Sequence, residues 1–107
     1  MDHPTFNKIL KERWDKIQNT LSYKSDEYST KSDRFHNFKV AARISNCTPE
    51  QALKGIMVKH EASVQDMISW SKTDPEKITK ALIDLKLGDN INYLLLLEGL
   101  FCERINK

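Results

Sequence analysis

The sequence predicts an all-α domain, a bundle of four or five helices, for which we expect dimerisation or higher assembly. Apolar residues recur at steps of three or four along most of the 107 residues, which is the spacing of helices with one buried face. Strand-like alternation is almost absent, and three glycines and three prolines leave few points at which a helix would break. Apolar residues make up 39% of the chain, enough for one core, but a domain of this size has a thin margin of stability. We therefore expect a single domain over residues 1–107 that gains stability by assembling.

The N-terminal helix is predicted over residues 1–22. It starts near Pro4, because proline suits the first turn of a helix. Serine, threonine and charged residues then dominate, so a polar loop is predicted over 23–33 and the core helices over 34–104. The apolar stripe of the first helix consists of Phe6, Leu10, Trp14, Ile17 and Leu21.

Two boundary signals separate the second and third helices. The second helix is predicted over 34–45 and ends at Asn46, a residue that tolerates the left-handed conformation of a helix end. In the following TPEQ motif, Thr48 caps the third helix and Gln51 completes a capping box. The third helix runs to about residue 71. The residues expected to face inward are Phe35, Phe38, Ala41, Ala42 and Ile44 on the second helix, and Leu53, Ile56, Met57, His60, Val64, Met67 and Ile68 on the third.

A second proline-containing motif, TDPEK, predicts the start of the fourth helical region. Asp74 is expected to cap it and Pro75 to take its first position, and the region runs to about Arg104. Because glycine in a helix costs about 1 kcal/mol relative to alanine, Gly88 marks either a break or a point of close packing. One face of this region contains Ile78, Leu82, Leu85, Asp89, Asn92, Tyr93 and Leu96.

Polar residues occupy the centres of two apolar faces. His60 lies in the middle of the third helix's stripe, and Asp89 lies in the middle of the fourth. Burying a lone carboxylate is expensive, so three interpretations of Asp89 are open. It pairs with His60 or with a base such as Lys59, it binds Mg²⁺ or a ligand, or it faces solvent at a helix end or an oligomer interface. Bundles build metal and cofactor sites between facing helices, which favours a functional site here.

Composition argues against several classes of function. The net charge is +2, and the densest basic stretch, Lys8–Lys16, is interrupted by acids and resembles a solvated helix face, so we expect no nucleic-acid partner. The longest apolar run, Tyr93–Leu97, is far shorter than the roughly 20 residues of a membrane span. Cys47 and Cys102 have no metal-binding or CxxC spacing and are expected to be reduced thiols. These features predict a cytoplasmic protein without a membrane partner.

Four segments together carry a resemblance to a known family: KSDEY, DRFHNFKVAA, TPEQALKGIMVKHEASVQDMI and GDNINYLLLL. Their order and spacing resemble phage-encoded MazG-like proteins of the all-α nucleoside triphosphate pyrophosphohydrolase superfamily, over about residues 22–100. The resemblance implies a helical bundle completed by oligomerisation, with acids on two facing helices that bind Mg²⁺, or Mn²⁺ in its place. It also implies that a metal-activated water attacks a (d)NTP and releases a nucleoside monophosphate and pyrophosphate.

The resemblance assigns roles to particular residues. Glu61, Asp66 and Asp89 are the implied metal ligands, and Glu61 and Asp89 are the implied catalytic residues, with Glu61 as ligand or general base. The implied substrate contacts are Arg34, Lys59 and His60 to the phosphates, and Asn37, Asn92 and Tyr93 to the base or sugar. Tyr93 is equally open to interpretation as core packing, because tyrosine has a large apolar body.

The sequence departs from the superfamily's acidic motifs. The superfamily typically has ExxE on one helix and ExxD on the next, whereas Glu61 and Asp66 are five positions apart and Lys86 stands three residues before Asp89. Either a reduced site of His60, Glu61, Asp66 and Asp89 remains, or ligand binding persists without catalysis. The resemblance therefore implies a Mg²⁺-dependent (d)NTP pyrophosphohydrolase-like protein with a reduced or degenerate metal site. The alternatives are a non-catalytic nucleotide-binding protein and a helical oligomeric interaction protein.

Overall fold

The computed structural model of the chain describes residues 1–23 and 33–106. Every regular element within these ranges is helical, which confirms the predicted all-α class. The polar loop predicted over 23–33 falls largely on residues 24–32, which lie outside the described residues. The elements are α1 (His3–Tyr23), α2 (His36–Ser45), α3 (Pro49–Thr73), a 3₁₀ turn (Pro75–Lys77), α4 (Lys80–Leu82), a π-helical segment (Ile83–Leu87) and α5 (Gly88–Ile105).

The boundary between α2 and α3 matches the sequence prediction. Asn46 ends α2 in the left-handed conformation, with φ of 53°. The capping box of α3 is complete, since the Gln51 backbone N–H donates to Thr48 Oγ1 at 3.1 Å and the Thr48 N–H donates to Gln51 Oε1 at 2.9 Å. The start of α2 lies at His36, two residues later than predicted.

The predicted cap at Asp74 is wrong. Its side chain makes no capping hydrogen bond, and Pro75–Lys77 forms a separate 3₁₀ turn. The next α-helix is capped by Thr79, whose backbone is extended and whose Oγ1 accepts from the Leu82 N–H at 3.2 Å. An N-cap residue usually has an extended backbone and a side-chain oxygen that accepts from the helix. The α-helix therefore starts after Thr79, about one turn beyond Pro75.

The region around Gly88 is continuous and closely packed. α4 passes through the π-helical segment Ile83–Leu87 directly into α5, so no break occurs at the glycine. A Cβ on Gly88 would lie 2.7 Å from Arg13 Nη1, because the Arg13 guanidinium of α1 lies against this part of the backbone. Of the two predicted roles for Gly88, close packing is the observed one.

The core is formed where α2, α3 and α5 meet. Leu53 is completely buried, and Leu21 of α1 packs against the cluster around it. Ile17 gives α1 a second buried contact, and α1 packs along α5. The buried cluster comprises Phe38, Leu53, Met57, Leu96 and Leu100.

Several residues predicted to face inward are exposed. Ile44 is 80% exposed, because two residues after the buried Ala42 it lies about 160° around α2 from that side chain. On α3, Ile56 and Ile68 are also exposed. On α1, the stripe is buried only in its C-terminal half, where it meets α5, whereas the three N-terminal positions are at least half exposed: Phe6, Leu10 and Trp14.

Candidate functional site

The two polar residues predicted at the centres of apolar faces lie close together. His60 on α3 approaches Asp89 on α5, with 3.6 Å between Nδ1 and Oδ2, and the His60 ring lies against Tyr93 with ring centroids 4.9 Å apart. A separation of 3.6 Å exceeds hydrogen-bond length, so the contact is an ion pair when the imidazole is protonated. This arrangement corresponds to the first interpretation of Asp89, a pairing with His60.

A polar cleft runs between α1 and α5. One cavity of about 60 Å³ is lined by four of the predicted site residues, Arg34, Asp89, Asn92 and Tyr93, together with α1 residues. A second cavity of about 200 Å³ shares Asp89, Asn92 and Thr20 with the first. We call the two cavities together the α1–α5 cleft. The described residues that line it are Arg13, Lys16, Ile17, Thr20, Leu21, Arg34, Asp84, Leu85, Gly88, Asp89, Asn92, Tyr93 and Leu96.

Two side chains that line the smaller cavity each have one buried polar atom without a hydrogen-bond partner in the described part of the chain. The two atoms are Arg34 Nη1, a charged donor, and Asn92 Oδ1, an acceptor. The other terminal nitrogen of Arg34 donates to the carbonyl of Leu21 at 3.3 Å, which fixes the guanidinium at this end of α1. Because buried polar atoms in folded proteins are nearly always paired, an unsatisfied donor and an unsatisfied acceptor on two residues that line one cavity support a place nearby for a polar ligand group or ordered water.

Cationic side chains surround the other end of the cleft. The Asp84 carboxylate lies 2.8 Å from Arg13 Nη2, 2.8 Å from Lys16 Nζ and 3.2 Å from Lys80 Nζ. The hydrogen bond from Lys16, reinforced by the one from Lys80, lowers the pKa of Asp84 to about 2 despite the opposing effect of burial. Three cations therefore share one carboxylate, and the cavity lined by two of them, Arg13 and Lys16, contains a second carboxylate, that of Asp89.

The predicted metal ligands do not come together. Glu61 Oε1 lies 2.6 Å from Lys54 Nζ, and Asp66 is exposed on α3. Among residues 1–23 and 33–106, no group of three or more His, Cys, Asp or Glu side chains is placed to hold a metal ion. Mg²⁺ takes several oxygen ligands around one point, and among the described residues the implied ligands Glu61, Asp66 and Asp89 do not form such a set.

Two predicted substrate contacts lie apart from the cleft. Lys59 is exposed on α3 and Asn37 is exposed on α2, and neither lines the cleft. Of the predicted site residues, the fold brings together Arg34, His60, Asp89, Asn92 and Tyr93.

The α1 wall of the cleft was not predicted from the sequence. Its residues Arg13 and Lys16 belong to the basic stretch that was interpreted as a solvated face, and Thr20 follows that stretch. Their steps of three and four residues place them on one side of α1, beside the buried Ile17. That spacing was the available signal, because long cationic side chains that flank a buried position reach across to the neighbouring helix.

The fold and the cleft define an all-α protein with a charged site between two helices. No family model, no curated protein and no solved structure matches the chain. None of the described helices combines the length and apolar character that crossing a membrane requires.

Proposed function

We propose that this is a cytoplasmic protein that binds a phosphorylated nucleoside in the α1–α5 cleft. The observation that carries the proposal is that Arg34 and Asn92 line one cavity with Tyr93, and that Arg34 Nη1 and Asn92 Oδ1 are buried without a hydrogen-bond partner among residues 1–23 and 33–106. A phosphate oxygen would accept from Arg34, and an N–H or O–H of the base or sugar would donate to Asn92.

Charge and shape support this class of ligand. Arg34 forms no ion pair with a described carboxylate, so an anionic oxygen would relieve the cost of its burial. Tyr93 provides an aromatic surface for a base, and the His60 ring, which lies against Tyr93, restrains the orientation of the tyrosine. A cavity of about 60 Å³ admits one small group, so the rest of the ligand would extend into the adjoining 200 Å³.

Hydrolysis of the bound nucleotide is the second candidate, and the position of Asp89 favours it. Its carboxylate lines both cavities, where it would repel a phosphate unless a cation or a protonated His60 lay between them. Mg²⁺ or Mn²⁺ would supply that charge and is the cofactor of the reaction implied by the family resemblance. Within the described residues the metal lacks its ligand set, so hydrolysis requires ligands from elsewhere, such as a second copy of the chain.

One panel of measurements tests both candidates. Purified protein is titrated calorimetrically with each dNTP and NTP, with and without Mg²⁺ or Mn²⁺, and pyrophosphate release is followed in parallel. Binding without turnover supports the non-catalytic candidate, whereas turnover that disappears in Asp89→Asn supports the hydrolase. Absence of both binding and turnover would refute the two candidates and favour the third prediction, a helical oligomeric interaction protein.

A pair of arginine variants locates the ligand. Arg34→Met should weaken binding at least about tenfold, since a charge-assisted hydrogen bond contributes well over 1 kcal/mol. Arg43→Met is the matched control, because Arg43 is exposed on α2 and lines a different cavity. Equal affinities of the two variants would contradict a site at Arg34.

Self-association is part of the proposal. The large apolar side chains Phe6, Leu10 and Trp14 are at least half exposed along one face of α1, and covering them would remove apolar area from water. Analytical ultracentrifugation of the wild type and of Leu10→Glu measures the oligomeric state. A dimer or tetramer that dissociates in the variant is the expected result, and a wild-type monomer at 100 µM would contradict it.

A further inference from the structure

A separate cavity lies where α2, the start of α3 and the end of α5 meet. Its volume is about 370 Å³, larger than either cavity of the α1–α5 cleft, and it shares no lining residue with them. Ala42 and Leu100 line it and are almost completely buried, which gives the cavity an apolar base. Binding sites for small molecules have volumes of about this size and combine apolar walls with a few polar groups. We call this space the α2–α5 cavity.

Ion pairs between helices fix four of the charged groups that line the α2–α5 cavity. Lys39 Nζ on α2 lies 2.6 Å from Glu103 Oε1 on α5, and it lies 2.8 Å from Asp33 Oδ2. Arg104 of α5 donates to both carboxylate oxygens of Glu50 on α3, with 2.8 Å between Nη2 and Oε1. The hydrogen bond to Asp33, followed by the one to Glu103, raises the pKa of Lys39, and the bond from Arg104 lowers the pKa of Glu50. These groups are therefore charged at neutral pH and are occupied by one another.

Arg43 differs from the other two cations that line this cavity, Lys39 and Arg104. Its side chain makes no hydrogen bond or ion pair with any residue of 1–23 and 33–106. Three cations and two carboxylates line the cavity, and Asp33, the second partner of Lys39, lies outside the lining. The lining therefore has a net charge of +1, and the charge without an internal partner is that of the Arg43 guanidinium.

We propose that the α2–α5 cavity is a second binding site, whose ligand is a small organic monocarboxylate with an apolar body. The planar Arg43 guanidinium would donate two parallel hydrogen bonds to the carboxylate, and the apolar body would lie against Ala42 and Leu100. A phosphate monoester carries a charge near −2 and would be repelled by the lining carboxylates of Glu50 and Glu103, so it fits less well. The ligand differs in class from the nucleotide of the α1–α5 cleft, so this site does not depend on the proposed function.

Three probes with the same phenyl body and different charge test the site. Benzoate, neutral benzamide and phenyl phosphate are titrated into the full chain at neutral pH, and binding is followed by ¹H–¹⁵N NMR. Benzoate should shift the backbone amide signals of Ala42, Cys47 and Leu100 and bind at least about tenfold more tightly than benzamide. Phenyl phosphate should bind more weakly than benzoate. Absence of shifts at these residues would overturn the site, and equal affinity for benzamide or tighter binding of phenyl phosphate would overturn the monocarboxylate class.

A matched pair of charge-removing variants locates the carboxylate. Arg43 is exposed in the last turn of α2, so Arg43→Gln leaves the core intact. Lys72→Gln is the control, because Lys72 is exposed in the last turn of α3 and lies outside the cavity. Arg43→Gln should weaken benzoate binding at least about tenfold, whereas Lys72→Gln should leave it unchanged. Equal effects of the two substitutions would overturn a specific contact with Arg43.

The two cysteines provide an independent measurement. Cys47 lines the α2–α5 cavity and is partly buried, whereas Cys102 is exposed and lies outside it. Alkylation of each thiol by iodoacetate, a small carboxylate, and by neutral iodoacetamide is followed by peptide mass spectrometry. The ratio of the iodoacetate rate to the iodoacetamide rate should be severalfold higher at Cys47 than at Cys102, and Arg43→Gln should remove this difference. Equal ratios at both thiols in wild type, or a difference that persists in Arg43→Gln, would overturn carboxylate binding by Arg43.

Discussion

Replacing Asn92 by leucine should stabilise the free protein and impair ligand binding. Asn92 Oδ1 is buried and no described residue donates a hydrogen bond to it, and an unsatisfied buried acceptor costs roughly 1–3 kcal/mol. Leucine has nearly the same size and shape, so it removes this cost and adds apolar contact beside Leu96 and Tyr93. We expect the free energy of unfolding to rise by about 1–3 kcal/mol. Function and stability would then oppose each other at this position.

Urea denaturation followed by circular dichroism at 222 nm measures the effect. For a domain of this size the urea m-value is about 1–3 kcal/mol per molar, so the midpoint should rise by roughly 1 M. Asn90→Leu is the matched control, because the Asn90 side-chain Nδ2 donates to the His60 carbonyl at 3.3 Å while its Oδ1 is also unpartnered. Asn90→Leu loses this hydrogen bond, which contributes about 1 kcal/mol, so its free energy of unfolding should rise by less than that of Asn92→Leu.

Two results would refute the reasoning on Asn92. A lower midpoint in Asn92→Leu would mean that the amide already makes hydrogen bonds in the free protein. Nucleotide affinity equal to that of wild type would mean that the ligand does not use Asn92, whatever the change in stability.

Other substitutions test the core, the α3 cap and the cationic cluster. Leu53→Ala should lower the free energy of unfolding by about 2–5 kcal/mol, because Leu53 is fully buried. Ile44→Ala, at an 80% exposed position, should change it by less than ~0.5 kcal/mol. Equal effects of the two substitutions on the denaturation curves would contradict the assigned core. Thr48→Ala should cost about 1 kcal/mol through loss of the bond from the Gln51 N–H, and an unchanged urea midpoint would argue against the capping box. The pKa of Asp84 is about 2 in the folded protein and near 4 in an unfolded chain, so its contribution to stability is complete above about pH 4 and is lost as the pH falls towards 2. Thermal melts between pH 5 and pH 2 should therefore fall less steeply in Asp84→Asn than in wild type, and parallel curves would contradict the lowered pKa.

Local features of the fold were accessible from sequence because they depend on neighbouring residues. The capping box of Thr48 and Gln51 joins groups three residues apart, and Asn46 ends α2 through its own backbone conformation. The cap at Asp74 was assigned wrongly because Thr79, five residues later, offers the same chemistry with an extended backbone. Sequence pattern alone does not distinguish between two such neighbouring caps.

Burial was predictable only in part, because an apolar stripe does not specify how much of its length another helix covers. The stripe of α1 is continuous from Phe6 to Leu21, yet its N-terminal half has no covering element among the described residues. The sequence predicted the polar centres at His60 and Asp89, and the fold brings them to 3.6 Å. The fold does not bring the implied metal ligands Glu61 and Asp66 to the contact between His60 and Asp89, because they lie on other sides of α3.

The sequence by itself determined the all-α class, most of the helix limits and the polar character of the α5 face, because helical periodicity and capping act within one or two turns. Tertiary structure alone decided that Arg13 meets Asp84 across 71 residues. It also decided that Arg34 and Asn92, each with a buried atom that no described residue pairs, line the same cavity. These properties depend on the rotation and separation of packed helices, which no single helix encodes. The site therefore belongs to the contact between α1 and α5 rather than to any motif within one of them.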